Sequence, residues 1–286
     1  MSKVGIFFMS ILISIILGYS LLLGVMYLFQ NKLIFLPSSE LIVTPEKAGL
    51  RGEDVWIKTK DGEQLHGWFF PNEAAEYIVV LCHGNAGNIS NRIDIAKLLN
   101  GIGLSVLLYD YRGYGQSSGK PSEEGVYTDV ESVVYFLKNE RGYSEHQMIM
   151  YGRSMGGAVA SYAATKFDVS GLVLDSAFKN LKAMVRDLYP FVPASLARFE
   201  LPTEEYLKEI SDIPVMIMHS PRDSIVGISH GQHLYRIARE PKKFVELRGG
   251  HNDNFHTSTD IHSKSWIEFV RLIRDREEAE ASGMGL

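Results

Sequence analysis

The segment that most constrains the fold is Gly152–Gly156, which reads Gly-Arg-Ser-Met-Gly. An apolar run at 147–151, typical of a strand, precedes it, and small residues typical of a helix follow at 157–166. Such an abrupt passage from strand to helix strains the backbone of the central residue, and a glycine two positions to either side avoids steric collision. The pattern therefore predicts a G-x-S-x-G nucleophile elbow that exposes the Ser154 hydroxyl at a sheet edge.

The rest of the chain alternates short apolar runs with longer amphipathic ones, as a parallel sheet with crossover helices requires. Strands are predicted at 77–82, 105–109, 147–151, 171–174, 214–219 and 243–247, and helices at 89–100, 122–139, 155–166, 229–239 and 259–276. Two further strands, 54–60 and 65–70, flank a hairpin signal at Asp61-Gly62. We expect an α/β fold with a mostly parallel sheet, an antiparallel N-terminal hairpin and helices on both faces.

The N-terminus carries a segment without formal charge from Val4 to Asn31, long enough to cross a bilayer as a helix. We predict an uncleaved transmembrane anchor at 1–31, which makes the lipid bilayer a partner of the chain. A cleavable signal peptide is the alternative, but its apolar region would be shorter and end at an A-x-A-like site, and no alanine precedes Ala48. The few basic residues that flank the segment leave its orientation open.

The long interruption of the strand–helix rhythm at 178–212 predicts a small helical cap over the site, with a plain surface excursion as the alternative. Its large apolar residues are candidates for substrate contact: Tyr189, Phe191, Leu196 and Phe199. The predicted organisation is an anchor (1–31), a connector (32–53), one α/β catalytic domain containing the cap (54–276) and a flexible tail (277–286).

Composition excludes some classes of protein. The 286-residue chain has a formal net charge of -5, which argues against a nucleic-acid partner because such proteins usually carry a basic surplus. Cys82 is the single cysteine, so no intramolecular disulfide forms.

A serine hydroxyl is a weak nucleophile, so Ser154 needs a general base and an acid that orients the base. His251 fits the base, because it follows the last predicted strand through a glycine loop. Asp223 fits the acid, because a turn after the strand at 214–219 presents it from the same sheet edge. Asp175 is the second-ranked acid, and Asp253 is too local to reach back to the imidazole.

Acyl transfer also needs donors for the oxyanion. The NH of Met155 at the start of the helix is one candidate, and the NH of Asn85 in the glycine-containing loop 83–88 is the other. A phosphate cradle is the alternative for this loop, but the G-x-G-x-x-G and G-K-[ST] spacings are missing. The chemistry requires no metal and no organic cofactor.

Four segments together resemble the α/β-hydrolase superfamily: His-Gly-Asn-Ala-Gly-Asn at 83–88, Tyr-Asp-Tyr-Arg-Gly-Tyr-Gly-Gln-Ser at 109–117, Tyr-Gly-Arg-Ser-Met-Gly-Gly at 151–157 and Gly-Gly-His-Asn-Asp at 249–253. Over 35–269 the chain is similar to the membrane-anchored serine hydrolase branch, which includes abhydrolase-domain depalmitoylases and their bacterial relatives. The resemblance implies that Ser154, Asp223 and His251 are catalytic, that Asn85 and Met155 donate to the oxyanion, and that 109–117 is a structural loop.

These observations favour a membrane-anchored serine hydrolase that cleaves an ester or thioester of an acyl or lipid-like small molecule through an acyl-enzyme. Depalmitoylation is not favoured, because the targeting cysteine cluster of those relatives has no counterpart before Cys82. Two alternatives stay open: a serine peptidase on the same fold and a non-catalytic membrane-tethered binding module.

Overall fold

The computed structural model describes residues 2–282. It begins with the helix α1 (Lys3–Leu28), which is long and apolar enough to cross a membrane and has no buried residue. The short helix α2 (Gln30–Ile34) and the two-residue strand β1 (Leu36–Pro37) then lead into the main body. The predicted apolar helix is therefore present as a candidate membrane span.

The centre of the molecule is an eight-stranded sheet. Its strands are β2 (Glu53–Lys58), β3 (Gln64–Phe70), β4 (Ile78–Cys82), β6 (Ser105–Tyr109), β7 (Met148–Arg153), β8 (Gly171–Asp175), β9 (Val215–His219) and β10 (Lys242–Glu246). Their order across the sheet is β10-β9-β8-β7-β4-β6-β3-β2. Strand β3 is antiparallel to both neighbours, and the other pairs are parallel. A separate parallel pair joins β1 to β5 (Ala86–Gly87). The expected parallel sheet with an N-terminal hairpin is confirmed.

Helices cover both faces of the sheet. They are α3 (Ile93–Gly101), α4 (Glu123–Glu140), α5 (Gly156–Lys166), α6 (Leu181–Leu188), α7 (Thr203–Glu209), α8 (Ile228–Ile237), α9 (Asn254–Thr257) and α10 (Thr259–Ala281). Apolar residues of α4, α5, α7 and α8 belong to one buried cluster, whereas those of α3 and α10 belong to a second. This division places a core on each face of the sheet, as an α/β fold with buried parallel strands requires.

Two helices differ from their predicted bounds. The helix predicted at 89–100 begins as a 3₁₀ turn at Ile89–Arg92 before α3 starts. The last helix continues past Arg276 to Ala281, where the prediction had a flexible tail, and the Tyr77 hydroxyl donates a hydrogen bond to Glu277 (2.7 Å). Residues 283–286 of the predicted tail lie outside the described residues.

The insertion at 178–212 divides into two parts. Asn180 caps the N-terminus of helix α6, because its side chain accepts a hydrogen bond from the Ala183 NH (2.8 Å), and a 3₁₀ turn at Ala194–Leu196 follows the helix. Helix α7, in contrast, packs against α5 and α8 and buries Leu207 in the main core. Only the first part therefore forms a cap, and the second part is an ordinary crossover helix.

The C-terminal part of α1 lies against this cap. The Tyr19 hydroxyl of α1 donates to the Phe191 carbonyl (2.6 Å), and the Gln30 amide at the start of α2 donates to the Leu196 carbonyl (2.7 Å). Both N-terminal helices are thus joined to the cap by hydrogen bonds.

Candidate active site

The elbow residues adopt the geometry that the motif predicts. Ser154 has a φ of 53°, in the left-handed region, and its NH donates to the Asp175 carbonyl (2.9 Å). A Cβ atom on Gly152 would lie 2.4 Å from the Gly156 carbonyl oxygen, and one on Gly156 would lie 1.9 Å from the Cys82 carbonyl oxygen. Both glycines are therefore required by close packing of backbone on backbone, which holds Ser154 at the carboxyl end of β7.

Asp223 and His251 form a short hydrogen bond, with 2.6 Å between Oδ2 and Nδ1. The Asp223 side chain is buried, and its Oδ1 accepts from the NH groups of Ile225 (2.9 Å) and Val226 (2.8 Å). Burial raises the pKa of Asp223, but the hydrogen bond and the charge of His251, with the two NH groups, hold the pKa below its usual range. An ionised carboxylate only accepts, so Nδ1 carries the proton and Nε2 is left as a base.

The two rival carboxylates do not bond to the imidazole. Asp175 accepts from the Tyr151 hydroxyl (2.8 Å) behind the elbow, and Asp253 accepts from the Gly250 NH (2.8 Å) within its own turn. Of the three acids considered from the sequence, Asp223 is the one placed beside His251.

Arg153 joins the histidine loop to the elbow. Its Nη2 donates to the His251 carbonyl (2.7 Å) and to Asn254 Oδ1 (2.9 Å), so the residue next to Ser154 holds the backbone of the base.

Within residues 2–282 the Ser154 hydroxyl makes no hydrogen bond to the His251 imidazole, although both side chains line one cavity. Such bonds are often long or poorly aligned before substrate binds.

The loop after β4 lies against the nucleophile. A Cβ on Gly84 would lie 3.5 Å from the Ser154 Cβ, in ordinary contact. His83 Nδ1 donates to the Gly84 carbonyl (2.7 Å), which directs the NH of the same peptide, that of Asn85, to the opposite side. In the described chain neither the Asn85 NH nor the Met155 NH donates to a protein acceptor. Two free donors are therefore available beside Ser154.

Two tyrosines of the 109–117 segment donate hydrogen bonds to carbonyl groups of this loop. The buried Tyr111 hydroxyl donates to the His83 carbonyl (3.0 Å), and the Tyr114 hydroxyl donates to the Asn85 carbonyl (2.8 Å). These bonds fix the peptides on either side of the Gly84–Asn85 peptide, which carries the Asn85 NH.

A cavity of about 670 Å³ contains Ser154, His251 and both NH-bearing residues in its wall. Most of the remaining wall is apolar. The membrane-span candidate α1 contributes Leu23, Met26 and Tyr27, and α6 contributes Met184, Val185 and Leu188. The site is therefore an apolar chamber with the reactive groups at one part of its wall.

The four predicted substrate contacts separate into two pairs. Tyr189 and Leu196 line the cavity. Phe191 and Phe199 are not among the described lining residues, which corrects the prediction for both. The Phe191 side chain is about half exposed, and the Phe199 ring packs edge-on against Phe35 with 6.0 Å between centroids.

Comparison with known proteins identifies the family of this chain. The family model described as "Serine aminopeptidase, S33" matches residues 73–207. The uncharacterized membrane protein YNL320W of Saccharomyces cerevisiae is 32% identical over 80% of this chain and 84% of its own length. The chain belongs to the α/β-hydrolase superfamily.

Two further similarities concern this hydrolase. The alpha/beta hydrolase domain-containing protein WAV2 of Arabidopsis thaliana is 29% identical over 94% of this chain and 95% of its own length. The structure of the Pyrococcus furiosus esterase Pf2001 superposes with a TM-score of 0.70 at 20% identity, covering 83% of this chain and 97% of the esterase, which shows a shared fold.

Some wall residues of this hydrolase were not found from the sequence. Leu23 and Met26 face the cavity, but α1 is apolar on all sides, so its composition does not indicate an inward face. Arg92 and Arg153 also line the cavity. Among residues 2–282 no three His, Cys, Asp or Glu side chains are grouped to hold a metal ion, and the expected independence from cofactors stays a prediction.

Proposed function

We propose that this α/β hydrolase is a membrane-anchored serine hydrolase that cleaves an ester or thioester of an acyl, lipid-like substrate. The observation that carries the proposal is the 2.6 Å hydrogen bond between Asp223 and His251. His251 lines the same cavity as Ser154, and the NH groups of Asn85 and Met155 in that cavity wall have no protein acceptor among the described residues. A nucleophile, an oriented base and oxyanion donors are the parts that acyl transfer needs.

In the proposed reaction the Ser154 oxygen attacks the substrate carbonyl while Nε2 of His251 takes its proton. The NH groups of Asn85 and Met155 bind the resulting oxyanion, and the Asp223 carboxylate stabilises the imidazolium. Collapse of the intermediate breaks the ester or thioester bond, and the imidazolium protonates the leaving alcohol or thiol. A water molecule, deprotonated by His251, then releases the carboxylic acid and restores Ser154.

The origin of the cavity wall supports a lipid-like substrate. Leu23, Met26 and Tyr27 belong to α1, so the chamber that holds the reactive serine adjoins the helix that we place in the bilayer. An acyl chain that leaves the membrane along α1 would pass directly into the apolar part of the chamber, with no transfer through water.

The hydrogen bond between α1 and the cap also supports a position of the cap at the membrane surface. Tyr19, which bonds to the cap, lies roughly 14 Å along the axis before the end of α1, at a rise of about 1.5 Å per residue. The headgroup layer of a bilayer is about 5–7 Å thick on each side. With α1 spanning the membrane, the exposed apolar side chains of the cap edge would reach the acyl-chain region: Leu188, Tyr189 and Phe191.

The aminopeptidase named in the family description is the second candidate function. An aminopeptidase must bind the ammonium group of its substrate, and a buried charge requires a partner of opposite sign. The described residues of the cavity wall include Arg92 and Arg153 but no Asp or Glu. This charge pattern favours the esterase over the peptidase.

The test of the proposal is labelling with a fluorophosphonate probe, combined with hydrolysis of nitrophenyl esters and of an aminoacyl-nitroanilide. The wild type is expected to be labelled and to hydrolyse the esters, and Ser154→Ala to lose both. Ser229→Ala, at an exposed serine of α8, is the matched control and should retain both. Labelling that persists in Ser154→Ala would refute the serine assignment. A protein that turns over the anilide but no ester would instead be a peptidase, and one that does neither would be a binding module.

A further inference from the structure

Two guanidinium groups lie in the wall of a mostly apolar cavity, and the described lining residues include no carboxylate. The Arg153 guanidinium has protein partners: it donates to His251 and Asn254, and its Nε lies 4.0 Å from a carboxylate oxygen of the buried Asp175. These three partners account for the position and the charge of Arg153. The second cation, Arg92, is different.

Arg92 has hydrogen bonds but no salt bridge among the described residues. Its Nη2 donates to the Ala86 carbonyl (2.9 Å) and its Nη1 to the Asn91 carbonyl (3.3 Å), whereas the buried Nε has no hydrogen-bond partner. Within residues 2–282 it forms no salt bridge. Burial, with a smaller contribution from the like charge of Arg153, lowers the pKa of Arg92 to about 10. The buried Asp110 carboxylate opposes this shift without forming a salt bridge with Arg92, and the group is still cationic at neutral pH.

The cations lie beside the reaction centre and not along the apolar wall. Arg153 immediately precedes Ser154, and Arg92 holds the carbonyl of Ala86, the residue after the oxyanion donor Asn85. The apolar wall made by α1 and the cap can accommodate an acyl chain. The other substituent of the scissile carbonyl, the leaving group, is then the part of the substrate that meets the cations.

We propose that the leaving group of the substrate carries an anionic group, a phosphate or a carboxylate, which binds Arg92 next to Arg153. The substrate class is thus an anionic single-chain acyl amphiphile, and the inference rests on the proposed esterase function. A cation that lines a mostly apolar chamber with no salt bridge and an unpartnered Nε is costly, and a charge-assisted hydrogen bond to an anion would offset that cost.

The experiment compares esters that share one acyl chain and differ only in the alcohol. These are a monoacylglycerol, which is neutral, a monoacylglycerol phosphate and a monoacyl glycerate, each presented in the same non-ionic detergent micelles. The wild type is expected to show a higher kcat/KM for an anionic ester than for the neutral one. In Arg92→Gln the anionic-to-neutral ratio should fall about tenfold or more, as for the loss of a hydrogen bond between charged groups. The phosphate and carboxylate arms distinguish the two anions.

Two further variants separate recognition from a structural role. Arg92→Lys keeps the charge but not the fork that holds Ala86 and Asn91, so it should retain most of the preference. Arg271→Gln, at an exposed residue of α10, makes the same charge change far along the chain and should leave the ratio unaltered. A ratio near one in the wild type, or equal losses on all three esters in both Arg92 variants, would overturn the inference. If Ser154-dependent hydrolysis of the neutral ester persists in that case, the proposed function stands alone; if Ser154 is unlabelled and no ester is cleaved, the proposed function fails too.

Discussion

Replacement of Asp223 by asparagine tests the proton relay most directly. Oδ1 of Asp223 accepts two backbone NH groups, whereas Oδ2 accepts the single His251 bond. The amide of Asp223→Asn has one oxygen, and we expect that oxygen to stay with the two NH donors. The amide NH₂ then faces Nδ1 of His251, which must accept, so the imidazole proton moves to Nε2.

An imidazole that carries its neutral proton on Nε2 cannot accept the proton of Ser154. The same inversion of tautomer in a Ser-His-Asp site lowers kcat by about 10⁴. That loss corresponds to about 5 kcal/mol of transition-state stabilisation. The backbone contacts of residue 223 are retained in the variant, so the midpoint of thermal unfolding should change little.

The assay is the steady-state hydrolysis of p-nitrophenyl butyrate, with thermal unfolding measured on the same preparations. Asp223→Asn should lose about 10³- to 10⁴-fold in kcat with little change in KM. Asp253→Asn is the matched control, because Asp253 is closer in sequence to His251 but only closes a turn with Gly250. A folded Asp223→Asn protein that keeps more than about a tenth of wild-type kcat would refute the relay, as would an equal loss in the control.

Three further predictions concern packing, pH and the cavity wall. Gly156→Ala should lower the free energy of unfolding by about 3 kcal/mol or more, because the new Cβ would overlap the Cys82 carbonyl oxygen of β4. Gly101→Ala is the control, because Gly101 has open space around it, and it should be neutral or stabilising when measured by thermal unfolding. Burial lowers the pKa of His262, so the unfolded chain binds the proton more readily than the folded chain, and stability is lost as the pH falls below about 6.5. His262→Phe should therefore raise the Tm more at about pH 5.5 than at about pH 8. An equal gain in Tm at both pH values would contradict this reasoning. Met26→Trp should reduce hydrolysis of a palmitate ester about tenfold relative to a butyrate ester, because the larger side chain would remove cavity space for about two methylenes. Val25→Trp, on the exposed side of α1, should not change this ratio. An equal loss of activity on both esters in Met26→Trp would contradict the assignment of Met26 to the cavity wall.

The strands and helices of the main body were predictable because their signals are local. The apolar run of β6 occupies the predicted residues 105–109, and the Asp61-Gly62 turn lies between the paired strands β2 and β3. Helix α10 shows where such signals stop. Its last residues are polar and read as a tail, but contacts such as the one between Tyr77 and Glu277 keep them helical.

The cap residues show a second limit. Aromatic content within 178–212 suggested one apolar surface over the site, but side chains of the same type face opposite ways: Tyr189 faces the cavity and Phe199 faces the core. Hydrophobicity predicts that a residue packs against something, and it carries no information on which surface it packs against.

The sequence by itself determined the elements with short-range causes: the apolar N-terminal helix, the alternation of strands and helices, and the elbow whose glycines at 152 and 156 make Ser154 identifiable. It also ranked Asp223 above its rivals through strand order, but only the tertiary structure decided that this carboxylate meets His251. The structure alone brought α1 to the cavity wall and placed Arg92 beside the loop at 83–88 with no salt bridge within the described residues. The physical reason is that charge pairing and cavity walls arise between segments distant along the chain, where no local periodicity records which side chains will meet.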